Sequence, residues 1–267
     1  MCIRDRTLVY HSNFGLNINA GTRFNTHSEY GNQMVYNLNP SYSFKNLPLK
    51  VLASYSTAFI TPSLYQLYGP YGNLELTPEE NATAEFGFES HLLNKKLTIN
   101  AVGFYREEEN TFGFFYNSAT FESFYMNIDG IYNAKGVEAS VRYSLSERFN
   151  IGGNYTFTQV EEQLNRLIPK HKANIDFSYK WNRGSFGMQY QFVDQRKDAY
   201  YDSNVWATQP VNLAAYQLVN SNLSYELLTN RLYIFGAVSN ILNEDFQEVI
   251  GYNTGGRNYK IGLNFLF

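Results

Sequence analysis

Several features on which folds and active sites commonly depend are scarce in this sequence. It contains one cysteine, Cys2, so it offers neither a disulfide framework nor a thiolate metal site. Charged residues make up only 17% of the 267 residues, and the formal net charge is −3. The lysines and arginines are scattered rather than clustered, which excludes the basic surface of a nucleic-acid-binding protein.

Long apolar runs and a recognisable export signal are also lacking. No stretch of 18 apolar residues occurs, which excludes a transmembrane helix. The opening residues, MCIRDR, have neither the apolar centre nor the small-residue cleavage site of a secretory signal. Because regular alternation begins only after them, we predict that residues 1–6 are a non-native or disordered leader and that residues 7–267 form one domain.

Aromatic residues, by contrast, are abundant, with 23 tyrosines and 21 phenylalanines against 2 tryptophans. In the segment RNYKIGLNFLF at 257–267, apolar residues occupy every odd position from Tyr259 to Phe267, and the other face carries Asn258, Lys260, Gly262 and Asn264. Alternation with a period of two is typical of a strand whose faces meet different media. A transmembrane β-barrel, with lipid outside, a polar interior and aromatic girdles, fits this composition.

The same alternation recurs along the chain and predicts about twelve strands. Their extents are 13–27, 32–45, 49–60, 79–92, 96–117, 120–145, 148–162, 168–182, 184–198, 213–229, 231–241 and 257–267. Short turns alternate with longer connections, as in outer-membrane barrels, so we predict an all-β fold, an antiparallel transmembrane β-barrel meander. A soluble β-sandwich also alternates, but strands of ten or more residues exceed the usual five or six.

Four stretches in a fixed order carry a family resemblance. They are STAFITPSLYQLYGPYGNLELTPEENATAEFGFE from residue 56, NAKGVEASVRY from 133, IPKHKANIDFSY from 168 and VSNILNEDFQEVIGYNTGGRNYKIGLNFLF from 238. Together they resemble the TonB-dependent receptors of the outer membrane. The resemblance implies that this chain is roughly the last twelve strands of a barrel of about 22, with the plug domain missing.

The resemblance further implies a receptor and transporter fragment of the cell outer membrane, for TonB-energised uptake of a scarce small molecule of the cobalamin or ferric siderophore class. TonB would act through the plug, outer-membrane lipid would surround the strands, and the outer-membrane assembly machinery would insert them. GYNTGGRNY at 251–259 and the IPKHKAN turn resemble the cobalamin-type branch, and siderophore-type receptors have similar closing strands. The alternatives are a passive porin-like or structural outer-membrane barrel and a soluble carbohydrate-binding β protein.

No catalytic site is predicted, so we do not expect an enzyme. Loop serines lack a nucleophile elbow, and the 4 histidines have no paired ligand spacing. Glu107, Glu108 and Glu109, with Asp129, could offer oxygen ligands to a hard cation, but a solvated acidic run is the simpler interpretation. We therefore expect no cofactor and no bound metal.

Aromatic residues in the long connections are the predicted ligand contacts, because such rings can stack on a corrin, a catecholate or a sugar. The predicted residues are Tyr65, Tyr68, Tyr71, Tyr200, Tyr201, Trp206 and Tyr252. For each ring the alternative interpretation is packing within the connection or a place in an interfacial girdle.

Two further roles are assigned from the strands. Glu85, Glu138 and Arg142 share the polar face of their strands and are predicted to face the lumen, where the resemblance implies pairing with the plug. Facing lipid would cost about 2–4 kcal/mol for an arginine at mid-bilayer. Phe267, an aromatic at the end of the last strand, resembles the signal that the family's assembly machinery reads, and an interfacial anchor is the alternative.

Overall fold

The structure, a computed structural model, describes residues 2–28, 31–117, 120–162 and 165–266. Strands dominate these residues, and thirteen of them form one sheet. In chain order they are β1 Cys2–His11, β2 Leu16–His27, β3 Gly31–Ser43, β4 Leu49–Ile60, β5 Glu79–Leu92, β6 Leu97–Tyr116, β7 Ser123–Ser144, β8 Phe149–Val160, β9 His171–Trp181, β10 Gly184–Val193, β13 Tyr216–Leu228, β14 Leu232–Ser239 and β15 Asn258–Phe265.

The remaining elements lie in the connections. The strands β11 Arg196–Asp202 and β12 Ala207–Leu213 form a separate two-stranded sheet between β10 and β13, and the helix α1 Leu64–Tyr68 lies between β4 and β5. In the main sheet each strand follows its sequence neighbour, with β13 taking the place beside β10. Among the described residues, no helix is long and apolar enough to cross a membrane.

All twelve predicted segments form strands, and the all-β antiparallel fold class is confirmed. Besides the helix α1, two features of the fold were not predicted. One is the β11–β12 hairpin, which lies in a segment expected to be a strand end and a plain connection. The other is β1, which pairs along its length with β2, and whose Asp5 carboxylate lies 2.8 Å from the Arg23 guanidinium.

The strand β1 includes most of the predicted leader, so residues 2–6 lie in the sheet. Their register places Arg4 opposite Phe24 and Arg6 opposite Thr22. The two arginines therefore lie on the same face of β1 as Leu8. Charged side chains on an otherwise apolar face break the pattern of the sheet. Whether residues 1–6 are native to the protein stays a prediction.

The chain divides into two compact units, Met1–Phe88 with Val102–Lys135 and Glu89–Ala101 with Gly136–Phe267. In the first unit, the register of β2 and β3 sets Phe24 against Met34 and Ala20 against Leu38 on one face. The Tyr36 and Tyr55 rings extend this face to β4, with centroids 5.9 Å apart. Polar side chains take the other face, where Ser54 donates to Asn39 across 2.8 Å.

The second unit repeats this division between faces. Its register places Ile175 beside Tyr190 on the apolar face, and Asn174 beside Gln191 on the polar face. Asn174 donates to Asn154 across 2.9 Å, and Ser144 donates to Asn150 across 2.7 Å, so amides and hydroxyls bond to one another between strands. Cross-strand pairs of this kind stabilise the sheet beyond its backbone ladder.

The strand β14 departs from strict alternation because Tyr233 and Phe235 lie on its polar face. The polar face of β15 accommodates Phe235: its ring lies against Gly262, where an added Cβ would approach the ring to 2.4 Å, and Lys260 Nζ lies 5.8 Å from the ring centroid. Tyr233 donates to Glu226 across 3.2 Å. Each of the two aromatic rings on the polar face thus has a specific partner.

Few apolar residues are buried among the described residues, and most of those lie in or beside the connections. No described residue, counted with its backbone, is less than 2% exposed. The buried apolar residues include Leu76 and Tyr132 in the first unit and Val193, Leu213 and Tyr216 in the second. The apolar strand faces are open, with Ile261 on β15 at 82% exposure. A soluble β-sandwich would bury these faces in a core, so their exposure argues against that alternative.

Candidate functional site

The long connections alternate with short turns along the chain. Because neighbouring strands are antiparallel, every second connection emerges at the same end of the strands. In the first unit these are the segments 61–78, which contains α1, and 117–122; in the second they are 161–170, 194–215 and 240–257. The predicted ligand-contacting aromatics all lie in these connections.

The helix α1 is short but well capped. Ser63 Oγ accepts from the Gln66 N–H at 3.3 Å, while Gln66 Oε1 accepts from the Ser63 N–H at 2.8 Å, which completes a capping box. After the helix, the Gly69 N–H donates to the Tyr65 carbonyl across 2.9 Å. This local bonding fixes the direction in which the tyrosines around α1 project.

Those three tyrosines are in different environments. Tyr65 lies 6.2 Å from Tyr125, and Tyr71 lies 5.5 Å from Phe114, both edge to face, so these two rings pack on the ends of β6 and β7. Tyr68 is 67% exposed and lines a cavity of about 510 Å³ together with Leu74 and other residues. Of the three, Tyr68 is the most exposed.

Asparagine side chains hold this connection against β7. Asn73 Nδ2 donates to the Tyr125 carbonyl across 2.9 Å. Asn127 Oδ1 accepts from the Thr77 N–H at 2.8 Å, and its Nδ2 donates to the Thr77 carbonyl at 3.0 Å and to the Asn110 carbonyl at 2.6 Å. Asn127 therefore ties the end of the connection to both β7 and β6.

In the second unit, the hairpin β11–β12 carries three of the predicted aromatics. Tyr200 pairs with Gln209 and Tyr201 with Thr208, so the two tyrosines lie on opposite faces of the hairpin. Trp206 lies in its turn with a positive φ of 52° and is 71% exposed. Tyr252, in the connection 240–257, is 73% exposed. All four rings remain available to a partner.

A buried carboxylate holds the base of the hairpin. The Asp198 side chain is 0% exposed, and its Oδ1 accepts from Arg166 Nε at 2.9 Å and from the Ala199 N–H at 2.8 Å. Its Oδ2 accepts from the Ile250 N–H at 2.9 Å. Burial alone would raise the pKa of Asp198, but these hydrogen bonds outweigh it and hold the pKa below its ordinary value.

A second contact on the same face of β11 reinforces this base. Arg196 is buried, donates from Nη2 to the Gln247 carbonyl at 2.8 Å, and lies over the Tyr216 ring at 5.0 Å from its centroid. Tyr216 in turn packs on Phe246, with centroids 4.4 Å apart. Arg196 and Asp198 thus both join the hairpin to the connection 240–257.

The predicted lumen residues lie on the polar faces of their strands. Ser144 bonds to Asn150, and Ser140 donates to Asn100 across 3.0 Å, so Glu138 and Arg142, at even spacing from both serines, share that polar face. Glu85 lies on β5 opposite in direction to Phe86, which is exposed on the apolar face. Their pairing with a plug stays a prediction, and Phe267 lies outside the described residues.

Two glutamates of the acidic run on β6, Glu107 and Glu108, have partners within their own unit. Arg106 pairs with Glu108, and the Tyr105 hydroxyl lies 3.1 Å from Glu107 Oε1 and 2.6 Å from Asn133 Oδ1, to either of which it can donate its one proton. Within residues 2–28, 31–117, 120–162 and 165–266, no group of three or more His, Cys, Asp or Glu is placed to hold a metal ion.

Comparison with known proteins identifies the scaffold. The model of the TonB dependent receptor-like β-barrel family matches residues 8–241, which is most of the chain. The chain belongs to the TonB-dependent receptor β-barrel family. The match confirms both the fold and the family inferred from the four sequence stretches. The family consists of receptors and transporters rather than enzymes.

Individual relatives cover the chain almost completely. It is 30% identical over 261 residues to the vitamin B12 transporter BtuB of Vibrio cholerae serotype O1, an alignment that covers 94% of this chain and 40% of BtuB. The ferripyoverdine receptor of the outer membrane of Pseudomonas aeruginosa superposes with a TM-score of 0.78 at 18% identity, over 97% of this chain and 37% of that one. The ferric enterobactin receptor PfeA of the same organism gives 0.80 at 17%, over 98% and 44%.

The chain therefore spans about 40% of the length of the curated relative it matches. The solved structures share too little sequence with it to show more than the fold. Sequence reasoning found the exposed rings of this TonB-dependent receptor chain but missed Asp198, Arg196 and Asn127. One signal was present for the first two: opposite charges two residues apart in RKD at 196–198, the spacing of neighbours on one face of a strand.

Proposed function

We propose that this chain is the barrel part of an outer-membrane receptor that binds a scarce ligand and takes it up with energy supplied through TonB. One observation carries the proposal: on the scaffold of a receptor family, exposed aromatic rings project from connections held by buried polar contacts. Trp206 and Tyr252 are the most exposed of these rings, and Asp198 secures the segments that carry them. Rigid rings on fixed segments suit the recognition of a flat or bulky small molecule.

Cobalamin is the ligand class that we favour, and ferric siderophores are the second. The 30% identity to a vitamin B12 transporter supports the first, whereas the siderophore receptors share the fold at 17–18% identity. We infer no catalysis and no cofactor. We propose that the open apolar strand faces contact outer-membrane lipid and that TonB acts through a plug that pairs with Glu85 of the first unit and with Glu138 and Arg142 of the second. The assembly machinery would read Phe267.

Binding to the complete receptor tests this proposal. Affinities for cyanocobalamin and for ferric enterobactin are measured by titration calorimetry for the unmodified protein and for Trp206→Ala and Tyr252→Ala. We expect cyanocobalamin to bind and each variant to weaken binding about tenfold, since a lost ring contact of about 1.4 kcal/mol corresponds to that factor. Tyr259→Leu is the matched control, because Tyr259 is 67% exposed but lies on β15.

Each outcome separates the alternatives. If ferric enterobactin alone binds, the siderophore class replaces cobalamin. If neither ligand binds, the uptake proposal is wrong for both classes. Uptake by cells that lack TonB distinguishes the passive alternative, because a porin-like barrel would transport equally well without it.

A further inference from the structure

The hairpin β11–β12, which lies in the connection 194–215, contacts two other connections of the second unit, 161–170 and 240–257. The connection 161–170 reaches it through the Leu167 N–H, which donates to the Lys197 carbonyl at 2.7 Å, and through an ion pair between Glu162 and Lys197. The connection 240–257 reaches it through the Ile250 N–H and the Gln247 carbonyl. The hairpin is therefore the common neighbour of the other two segments.

Asp198 is the one side chain described here that bonds to all three of these segments. Its two oxygens accept from Arg166 in 161–170, from Ala199 in the hairpin itself and from Ile250 in 240–257. The Asp198 side chain has no exposed surface, whereas that of its partner Arg166 is 66% exposed. Removing a partner from a buried carboxylate is strongly unfavourable, which makes the arrangement specific as well as stable.

The anchor lies very close in sequence to the exposed rings. Tyr200 and Tyr201 follow Asp198 by two and three residues on β11, and Tyr252 follows Ile250 by two residues. A bond of 2.9 Å between Asp198 and Ile250 therefore fixes the distance between the two backbones that carry these tyrosines. Without it, each segment would have to be ordered at the moment of binding, which lowers affinity.

We propose that Asp198 is a positioning residue that holds the three connections as one preorganised ligand-binding surface. This inference rests on the proposed function, and it assigns to Asp198 a role in affinity that is separate from the stability of the barrel. The main sheet is paired without the hairpin, because Val193 of β10 is directly opposite Tyr216 of β13. Loss of the anchor should therefore loosen the connections and leave the sheet intact.

The substitution Asp198→Asn tests this in the complete receptor. It keeps the size of the side chain, but an amide that accepts from Ala199 and Arg166 turns its own N–H₂ toward the Ile250 N–H, and two donors then face each other. We expect hydrogen exchange of the Ile250 amide and of segment 194–215 to accelerate at least tenfold. Affinity for cyanocobalamin should fall at least tenfold, mainly through slower association, while the amount of heat-modifiable folded barrel stays within twofold.

Glu162→Gln is the matched control, because it removes a carboxylate between the same segments from a pair whose side chains are both exposed. Exposed pairs contribute little, so exchange and affinity should stay within twofold of the unmodified receptor. Equal exchange and equal affinity in Asp198→Asn and Glu162→Gln would overturn the positioning role. Faster exchange with unchanged affinity would also overturn it, since the anchor would then be structural only.

A second variant covers the case in which Asp198→Asn does not fold. Arg166→Gln removes one partner from the mostly exposed side and leaves both backbone bonds to Asp198, so we expect a folded receptor with about threefold faster exchange in 161–170 and about threefold weaker binding. Hydrogen exchange is measured without ligand, so it tests whether Asp198 orders the connections independently of ligand binding. If the unmodified receptor binds neither ligand class, the proposed function fails and the positioning role fails with it; unchanged exchange alone rejects only the anchor.

Discussion

At the scale of the residue, each strand position belongs to one of two environments, and neighbours in sequence have opposite ones. Ile175 and Asn174 on β9 show the contrast. Ile175 is 49% exposed beside Tyr190 on the apolar face, whereas Asn174 bonds to Asn154 on the polar face. The two residues lie near the middle of the strand His171–Trp181, so the character of the side chain matters most there.

We predict that Ile175→Arg prevents stable insertion and that Asn174→Arg is tolerated. A lipid-facing arginine costs about 2–4 kcal/mol at the bilayer midplane, whereas a polar face can solvate the guanidinium. Folded receptor in outer-membrane fractions, measured by heat-modifiable gel mobility, checks both variants. Similar amounts of folded receptor in the two variants would show that the faces have been assigned wrongly.

At the scale of the element, connections are held by single polar side chains that reach from a strand. Asn127 does this in the first unit, through three hydrogen bonds to Thr77 and Asn110 of 3.0 Å or less. Its amide is needed as both donor and acceptor, a combination that few side chains provide. The carboxamide therefore matters by its chemistry and not only by its size.

We predict that Asn127→Asp releases the connection 61–78 without unfolding the barrel. A carboxylate keeps the bond from the Thr77 N–H but places negative charge against the Thr77 and Asn110 carbonyls, so about 1–3 kcal/mol of local stability is lost. Limited proteolysis should cleave 61–78 faster in this variant. Asn253→Asp, a like change at an exposed position of the second unit, should leave that cleavage rate unaltered.

Sequence predicted the long strands better than the contacts between connections, for a physical reason. Alternation is a local signal, and strands such as β9 and β15 carry it over several residues. The strands β11 and β12 are seven residues each and lie in a polar segment where burial is set by Asp198 and Arg196. Which connection meets Asp198 depends on the order of strands in the sheet, and no residue of 194–215 encodes its partner in 240–257 locally.

At the scale of the whole molecule, apolar side chains of the strands are left exposed, and the strands are held mainly by their pairing. The last described strand, β15, shows this most clearly: Tyr259, Ile261 and Leu263 are all more than half exposed. Backbone pairing with β14 continues to Phe265 opposite Leu232, and the Leu266 N–H donates to the Arg231 carbonyl at 2.8 Å. Lipid would complete the environment of such a strand.

We predict that deletion of Phe267 from the complete receptor severely reduces folded protein in the outer membrane. Loss of one buried interfacial ring lowers stability by about 1.5–3 kcal/mol, which a large barrel should survive. Near-normal levels of folded receptor would therefore indicate that Phe267 is an anchor only. An assembly signal instead predicts degradation in the periplasm. Phe267→Tyr retains the terminal aromatic and should accumulate normally in the same heat-modifiability assay.

The direct pairing of Val193 with Tyr216 has a consequence for the segment that connects them. The whole segment 194–215 leaves the sheet and returns to it at a single rung, so its length is independent of the strand register. Doubling the length of a flexible loop raises the entropic cost of closing it by only about 0.6 kcal/mol. Changes in the length or sequence of this segment should therefore leave the strand pairing of the sheet unaltered.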